Sequence, residues 1–330
     1  THTHMATKND ESTTKYVVPA PPKPTTFPLK SPRGAKLVGR TWPVVDNLKR
    51  SPKALLLIVH GGGWHSGYFE ELAKAFQKEH IFVASYDQVC CGYSEREPGA
   101  PEGCMHIGEF GDLIEDLFEA VRWAKLEAGV TGSSSLDLPV YLFGESFGGL
   151  QVLLAALDAA QYKDLPRLSG VIVSGALIEI APGLLPPRFV VSILSFLVAY
   201  YPKMKMPATD MSSTFDAAFG DKKWAALARS DPAISVSVQP TLAGAVATVT
   251  TGETVAARAS EFPIPLLAIH GVNDCRTLCS AVQKFVDEVG PEKAEGYWIE
   301  GTTGHQLLQD QPHVTNKVIQ KSVDWVKSQL

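Results

Sequence analysis

The sequence predicts an α/β architecture: a mostly parallel central sheet with helices on both faces and an inserted helical cap. Three observations carry this. Apolar runs of strand length alternate with helical patterns along most of the 330 residues, the order that builds a sheet covered on both sides. The runs are nearly continuous rather than alternating in polarity, as in Ala54 to Val59 and Ile81 to Tyr86, which is how strands buried on both faces read. From Leu177 to Ala259 the alternation stops, and apolar helical sequence is punctuated by Pro182, Pro186, Pro187, Pro202 and Pro207.

In chain order, residues 1–33 read as a disordered tail. Thr1 to His4 look vector-derived, and six prolines from Pro19 to Pro32 stand among Lys, Thr and Ser with too little apolar surface to order the segment. Residues 34–176 form the first part of the core. Its strands are Ala35 to Trp42, Ala54 to Val59, Ile81 to Tyr86, Val140 to Phe143 and Val171 to Ser174; its helices are Phe69 to Lys78, Ile107 to Glu127 and Leu150 to Ala160. Asp112, Glu115, Asp116 and Glu119 are expected on one solvated helix face. Residues 177–259 form the cap. Within it, Val190 to Tyr201 is mostly apolar between Arg188 and the pair Lys203 and Lys205, and at 12 residues is well short of a bilayer span of ~20. Two readings stay open for it: a helix buried against the core, or an amphipathic lid that touches lipid. Residues 260–330 complete the core with strands Leu266 to His270 and Gly296 to Ile299 and helices Cys279 to Val289 and Thr315 to Leu330.

Composition narrows the function classes. With 45% hydrophobic and 20% charged residues the chain reads as an ordinary globular protein. A net charge of -5, with no Lys/Arg stripe interleaved with aromatics, excludes a nucleic-acid partner. Cys90, Cys91, Cys104, Cys275 and Cys279 show no C-x-x-C spacing and no neighbouring His pair, so no metal site and no disulfide framework is expected. Reduced thiols and the absence of a signal-peptide pattern give a cytoplasmic expectation, with peripheral membrane contact through the cap as its variant; the oligomeric state stays open.

The chemistry centres on Gly144-Glu145-Ser146-Phe147-Gly148-Gly149, which follows the apolar run Val140 to Phe143 and leads into a helical pattern. A strand, a sharp turn and a helix meeting at one serine form a nucleophile elbow, in which glycines two positions either side relieve crowding and the hydroxyl stands out from the sheet. A serine needs a base, and the base needs an acid to hold its tautomer. Asp274 ends the strand Leu266 to His270 plus a short turn, and His305 follows Tyr297 to Ile299 in a Gly-rich loop, so the order Ser146, Asp274, His305 suits this fold. The competing histidines, His60, His65, His80, His106, His270 and His313, fit less well; His60 and His270 precede glycines at strand ends, where shaping a turn suffices. An H-x4-D spacing from His305 to Asp310, used by some acyltransferases, has no other element to support it. His60-Gly61-Gly62-Gly63 after an apolar strand is an oxyanion-loop pattern, which nominates the backbone N–H groups of Gly62 and Phe147 as oxyanion donors.

On these motifs, together with His60 to Ala73, His270 to Asp274 and Glu300 to His305, the chain from about residue 34 onward resembles the monoacylglycerol lipase-like branch of the α/β-hydrolases, which also contains lysophospholipase-like and plant caffeoylshikimate esterase-like enzymes. The resemblance implies an α/β-hydrolase fold with a helical cap, Ser146, Asp274 and His305 as triad, and cleavage of a small-molecule acyl ester through an acyl-enzyme with no cofactor. Ser230-Asp231-Pro232 is similar to a family cap motif. Where the family places an acidic residue, a basic residue and a second histidine for the glycerol head, this chain has Trp64, Tyr68 and Leu308. Those three are therefore expected to line the substrate pocket and to admit a less polar alcohol; the alternative is that Trp64 and Tyr68 pack beneath the cap. A peptidase or amidase on the same scaffold, and a non-catalytic ligand-binding protein, are the rival functions.

Overall fold

The computed structural model describes residues 25–31, 34–44, 51–129, 138–162, 167–206, 215–234 and 240–330. Its strands are β1 (Thr25–Lys30), β2 (Lys36–Trp42), β3 (Ala54–Val59), β4 (Ile81–Asp87), β5 (Val140–Glu145), β6 (Leu168–Ser174), β7 (Leu266–Gly271) and β8 (Ala294–Ile299). They form one sheet in the order β1-β2-β4-β3-β5-β6-β7-β8. β3 lies near the middle because Ala54 to Val59 is apolar throughout and can be buried on both faces; Leu57 stands level with Ala84 on one side and Leu142 on the other. From β4 to β8 the pairing is parallel, while β1 and β2 join antiparallel at one edge.

Helices cover both faces, as the sequence predicts. α1 (Glu70–Lys78) and α8 (Pro312–Gln329) pack on one side, where Phe76, Val318 and Trp325 join Ile58 and Phe143 in a single apolar cluster. On the other side lie α2 (Phe110–Glu127), α3 (Phe147–Asp158) and α7 (Cys279–Val289), whose Phe118, Leu153 and Phe285 share a second cluster with Leu57 and Leu142. Between β6 and β7 the chain builds α4 (Arg188–Val198), α5 (Lys222–Ser230) and α6 (Leu242–Ala257). α6 packs against both α3 and α4 and so joins this segment to the core.

Three local expectations change. β1 falls inside the stretch expected to be a tail; its pairing with β2 becomes irregular between Thr26 and Lys30, around Pro28, which an edge strand tolerates because its outer side needs no ladder donor. Asp116 is buried rather than solvated, since it lies 100° round the helix from exposed Glu115. Of the two readings left open for Val190 to Tyr201, burial against the core does not hold: no residue of α4 is buried, Phe189 and Phe196 are 67% and 68% exposed, and Ile193 in the helix and Tyr200 just after it are open too. Among the described residues, no helix is long and apolar enough to cross a membrane.

Candidate active site

Ser146 follows β5 and caps α3 with φ 53 and ψ -115, a left-handed conformation that costs a non-glycine residue of order 1–3 kcal/mol. The surrounding backbone holds it there. Its N–H donates to Ser174 O at 2.9 Å, and its carbonyl accepts from Leu177 N–H at 3.0 Å. The elbow also requires its glycines: a side-chain carbon on Gly144 would strike the Gly148 carbonyl, and one on Gly148 would strike the carbonyls of Val59 and His60. That close approach brings the β3 loop beside the start of α3. Gly62 and Phe147 become neighbours, a side-chain carbon at Gly62 falling 3.7 Å from Phe147 Cβ. Phe147 is the first residue of α3, where helix geometry leaves N–H groups without intrahelical acceptors.

The loops after β7 and β8 bring Asp274 and His305 together, 31 residues apart in sequence. His305 Nδ1 lies 2.7 Å from Asp274 Oδ2; a carboxylate only accepts, so Nδ1 carries the hydrogen and Nε2 of the neutral ring keeps its lone pair. Asp274 is further held by the N–H groups of Arg276 (2.7 Å) and Thr277 (3.1 Å) and by the Thr277 hydroxyl (3.1 Å). Burial opposes its ionisation, but the charge of His305 and hydrogen bonds from His270 and His305 outweigh burial and hold the carboxyl well below its usual range. Burial likewise works against a charged His305, and the Asp274 carboxylate reverses this, raising the imidazole above its ordinary value. Gly175, with φ +56, lets the ring approach; a side-chain carbon there would sit 3.2 Å from His305 Cε1.

Ser146 and His305 both open onto a cavity of about 350 Å³ that runs beneath α4 and α6, with Gly62 and Phe147 in its wall. Its surface is mostly apolar, supplied by side chains such as Met105, Leu184, Leu194, Phe215 and Val249. Among the described residues no cluster of His, Cys, Asp and Glu has the arrangement of a metal site. The arrangement suits nucleophilic acyl transfer: a displayed hydroxyl, an oriented imidazole and two adjacent backbone donors at one end of an apolar chamber.

A family model described as "Serine aminopeptidase, S33" matches residues 50–312, which is most of the chain. The chain belongs to this family of α/β-hydrolases. The hydrolase is 25% identical over 282 residues to the monoglyceride lipase of Rattus norvegicus, covering 85% of this chain and 84% of that one. It is 24% identical over 261 residues to the monoacylglycerol lipase of Mycolicibacterium smegmatis, covering 78% and 82%. Its fold matches a soluble variant of monoglyceride lipase from Saccharomyces cerevisiae, solved with a substrate analog, at a TM-score of 0.76 with 20% identity over 96% of this chain and 97% of that one. These likenesses make it a serine hydrolase of the monoglyceride lipase-like kind.

In this hydrolase three residues expected in the substrate pocket lie outside the cavity wall: Trp64, Tyr68 and Leu308. Trp64 is 3% exposed, with its ring 4.5 Å from that of Tyr68 and 5.9 Å from that of Phe219. Leu308 is buried in the same cluster. Tyr68, in the 3-10 turn Ser66–Phe69, is held toward the cap by its contact with Asp231. There its hydroxyl donates to Asp231 Oδ2 at 3.1 Å, beside His65 Nε2 at 3.0 Å from the same oxygen. The Ser230-Asp231-Pro232 segment thus ties the cap to the loop that carries Gly62. Asp310 also serves structure: it is buried and accepts from the Thr302 hydroxyl at 2.5 Å.

Other residues near the site escaped the sequence reading. His270, read as shaping a turn, stands 3.3 Å from Asp274 Oδ2 as a second imidazole on the acid. Arg276, Thr277 and Gln306 line the cavity, and their only sequence signal is that each lies within three residues of Asp274 or His305. Glu145 is fully buried next to Ser146, and burial pushes its carboxyl up to about 7, with His305 pulling the other way. Gln306, with its amide nitrogen turned toward Glu145, donates to both carboxylate oxygens at 2.9 Å.

Proposed function

We propose that this hydrolase cleaves carboxylic esters through an acyl-enzyme on Ser146. His305 takes the serine proton through Nε2 and returns it to the leaving alcohol, Asp274 fixes the imidazole, and the N–H groups of Gly62 and Phe147 hold the oxyanion. Water, deprotonated by His305, then releases the acid. The observation that carries this reading is the strained Ser146 opening onto the same cavity as the Asp274-oriented His305. The apolar chamber under the cap suits an acyl chain, and the names of the monoglyceride lipase relatives point to a monoacylglycerol-like ester. With Trp64 and Tyr68 outside the wall, the case for an especially apolar alcohol loses its basis. The family's aminopeptidase name gains no support from the lining either: among the described lining residues there is no carboxylate to pair with a substrate ammonium. A fluorophosphonate probe is expected to label the native protein and leave Ser146→Ala unlabelled. An unlabelled native protein would favour a ligand-binding role.

We further propose that α4 rests on the lipid surface from which substrate enters. Its Val191 and Leu194 line the cavity, while Phe189, Ile193 and Phe196 face outward. Arg188, Lys203 and Lys205 flank this segment in the chain and are exposed, the two lysines also donating to the Gly99 and Glu102 carbonyls; exposed cations of this kind can meet anionic headgroups. Sedimentation with anionic phospholipid vesicles is expected to retain the native protein and to release Phe196→Asp. Equal sedimentation of the two would rule out this surface.

A further inference from the structure

We propose that Gln88 is a positioning residue that staples together the two halves of the oxyanion hole. The inference rests on the ester-hydrolase reading above and adds to it what keeps the two oxyanion donors in register. Those donors come from segments far apart in sequence, Gly62 N–H from the loop after β3 and Phe147 N–H from the first turn of α3. Gln88 follows β4, is 3% exposed and reaches both segments. Its Nε2 donates to the His60 carbonyl at 2.6 Å, just before Gly61 and Gly62, and its Oε1 accepts from Gln151 Nε2 at 2.7 Å, one turn along α3 from Phe147. A carbonyl only accepts, so the His60 oxygen decides which way the Gln88 amide faces and leaves its Oε1 for Gln151.

The ring of His60 carries the link on to the donor itself. Gln88 N–H donates to His60 Nε2 at 2.9 Å, so the neutral ring has its hydrogen on Nδ1, 2.7 Å from the Gly61 carbonyl. Burial keeps that imidazole neutral, pushing it down to about 4. The Gly61 carbonyl also accepts from Trp64 N–H at 3.3 Å, so the peptide joining Gly61 to Gly62 is fixed by its oxygen. In a trans peptide the N–H points opposite to the C=O, which directs Gly62 N–H away from the His60 ring. Gly61, Gly62, Ser146 and Phe147 line the cavity together. His60 and Gln151 are fully buried, so water does not compete for these bonds. Without the Gln88 amide the loop of Gly62 and the helix of Phe147 lose their shared partner, while the bond between Asp274 and His305 keeps both of its groups.

Gln88→Met keeps the length of the side chain and removes its hydrogen bonds. With p-nitrophenyl butyrate, kcat is expected to fall at least about tenfold while KM stays within about threefold of native, because the donors act on the oxyanion of both the acylation and the deacylation step rather than on the bound ester. Affinity for a trifluoromethyl ketone, whose adduct with Ser146 carries an oxyanion, is expected to fall by a similar factor, and the acid limb of the pH profile is expected to stay where it is. Gln151→Met cuts the link from the α3 side and is expected to give the same pattern, the double variant losing no more than the larger single loss. A kcat within about twofold of native in both single variants, multiplicative losses in the double variant, a loss carried by KM, or a shifted acid limb would overturn the proposal. If Gln88→Met does not fold, Gln151→Met decides by the same readouts. If the native protein binds the ketone and a fluorophosphonate labels Ser146 while the variants keep their kcat, the role of Gln88 alone fails. If the native protein cleaves no ester and takes up neither reagent, the ester-hydrolase reading fails with it.

Discussion

Replacing Glu145 by Gln tests the electrostatics beneath the nucleophile. The carboxyl is fully buried at the end of β5, and burial raises it from an ordinary 4.5 to about 7. A raised acid binds its proton more tightly in the folded chain than in the unfolded one. Below 4.5 both states hold the proton and folding is indifferent to it. As pH rises towards 7 the unfolded chain releases the proton while the folded chain keeps it, so stability falls and then levels off. Integrating over that window, the group costs the fold about 2–3 kcal/mol more at pH 8 than at pH 5. Glutamine has nearly the same shape, can still hydrogen-bond Gln306, and carries no proton to lose. Chemical denaturation of both proteins at the two pH values is therefore expected to show the Glu145→Gln variant gaining about 2–3 kcal/mol relative to the native protein between pH 5 and pH 8. The charge of Glu145 also favours protonated His305, so its removal is expected to shift the acid limb of the kcat/KM profile to lower pH. Parallel stability curves, with the two proteins separated by a constant offset, would refute the reasoning.

Two further outcomes follow from contacts around the site. Asp274→Asn removes the acceptor that keeps hydrogen on His305 Nδ1, and kcat/KM for a neutral ester is expected to fall by about 10³–10⁴-fold with the fold intact; a loss below tenfold would mean that the imidazole is oriented by other groups. Asp231→Ala takes the shared partner from His65 and the Tyr68 hydroxyl, at a cost of about 2–3 kcal/mol in denaturant unfolding. Limited proteolysis within residues 177–259 should speed up in that variant, and unchanged cleavage would show that the cap is held elsewhere.

The sequence by itself determined whatever depends on local periodicity and on order along the chain. Continuous apolar runs such as Ala54 to Val59 can be satisfied only by burial on both faces, so the parallel sheet and its covering helices were legible. The elbow was legible as well, because a serine between glycines two positions away, after a strand and before a helix, has few other uses. The positions of Asp274 and His305 at strand ends followed from chain order, whereas the 2.7 Å between them exists only because parallel strands deliver their C-terminal loops to one edge of the sheet. β1 was hidden because its proline-bearing, weakly apolar sequence carries little strand signal of its own, even though it pairs with β2 through a short hairpin. Side-chain direction was decided by tertiary structure alone. Trp64 and Tyr68 lie within a few residues of the oxyanion loop, yet a carboxylate more than 160 positions away, Asp231, holds the Tyr68 hydroxyl, and Trp64 packs against the rings of Tyr68 and Phe219. Arg276 shows the reverse: nothing local marks it as a lining residue of the cavity, yet its backbone is held there between Asp274 Oδ1 and the Ala181 N–H. Periodicity fixes which residues must be buried, but which wall of a cavity a given residue joins depends on contacts between segments far apart in sequence.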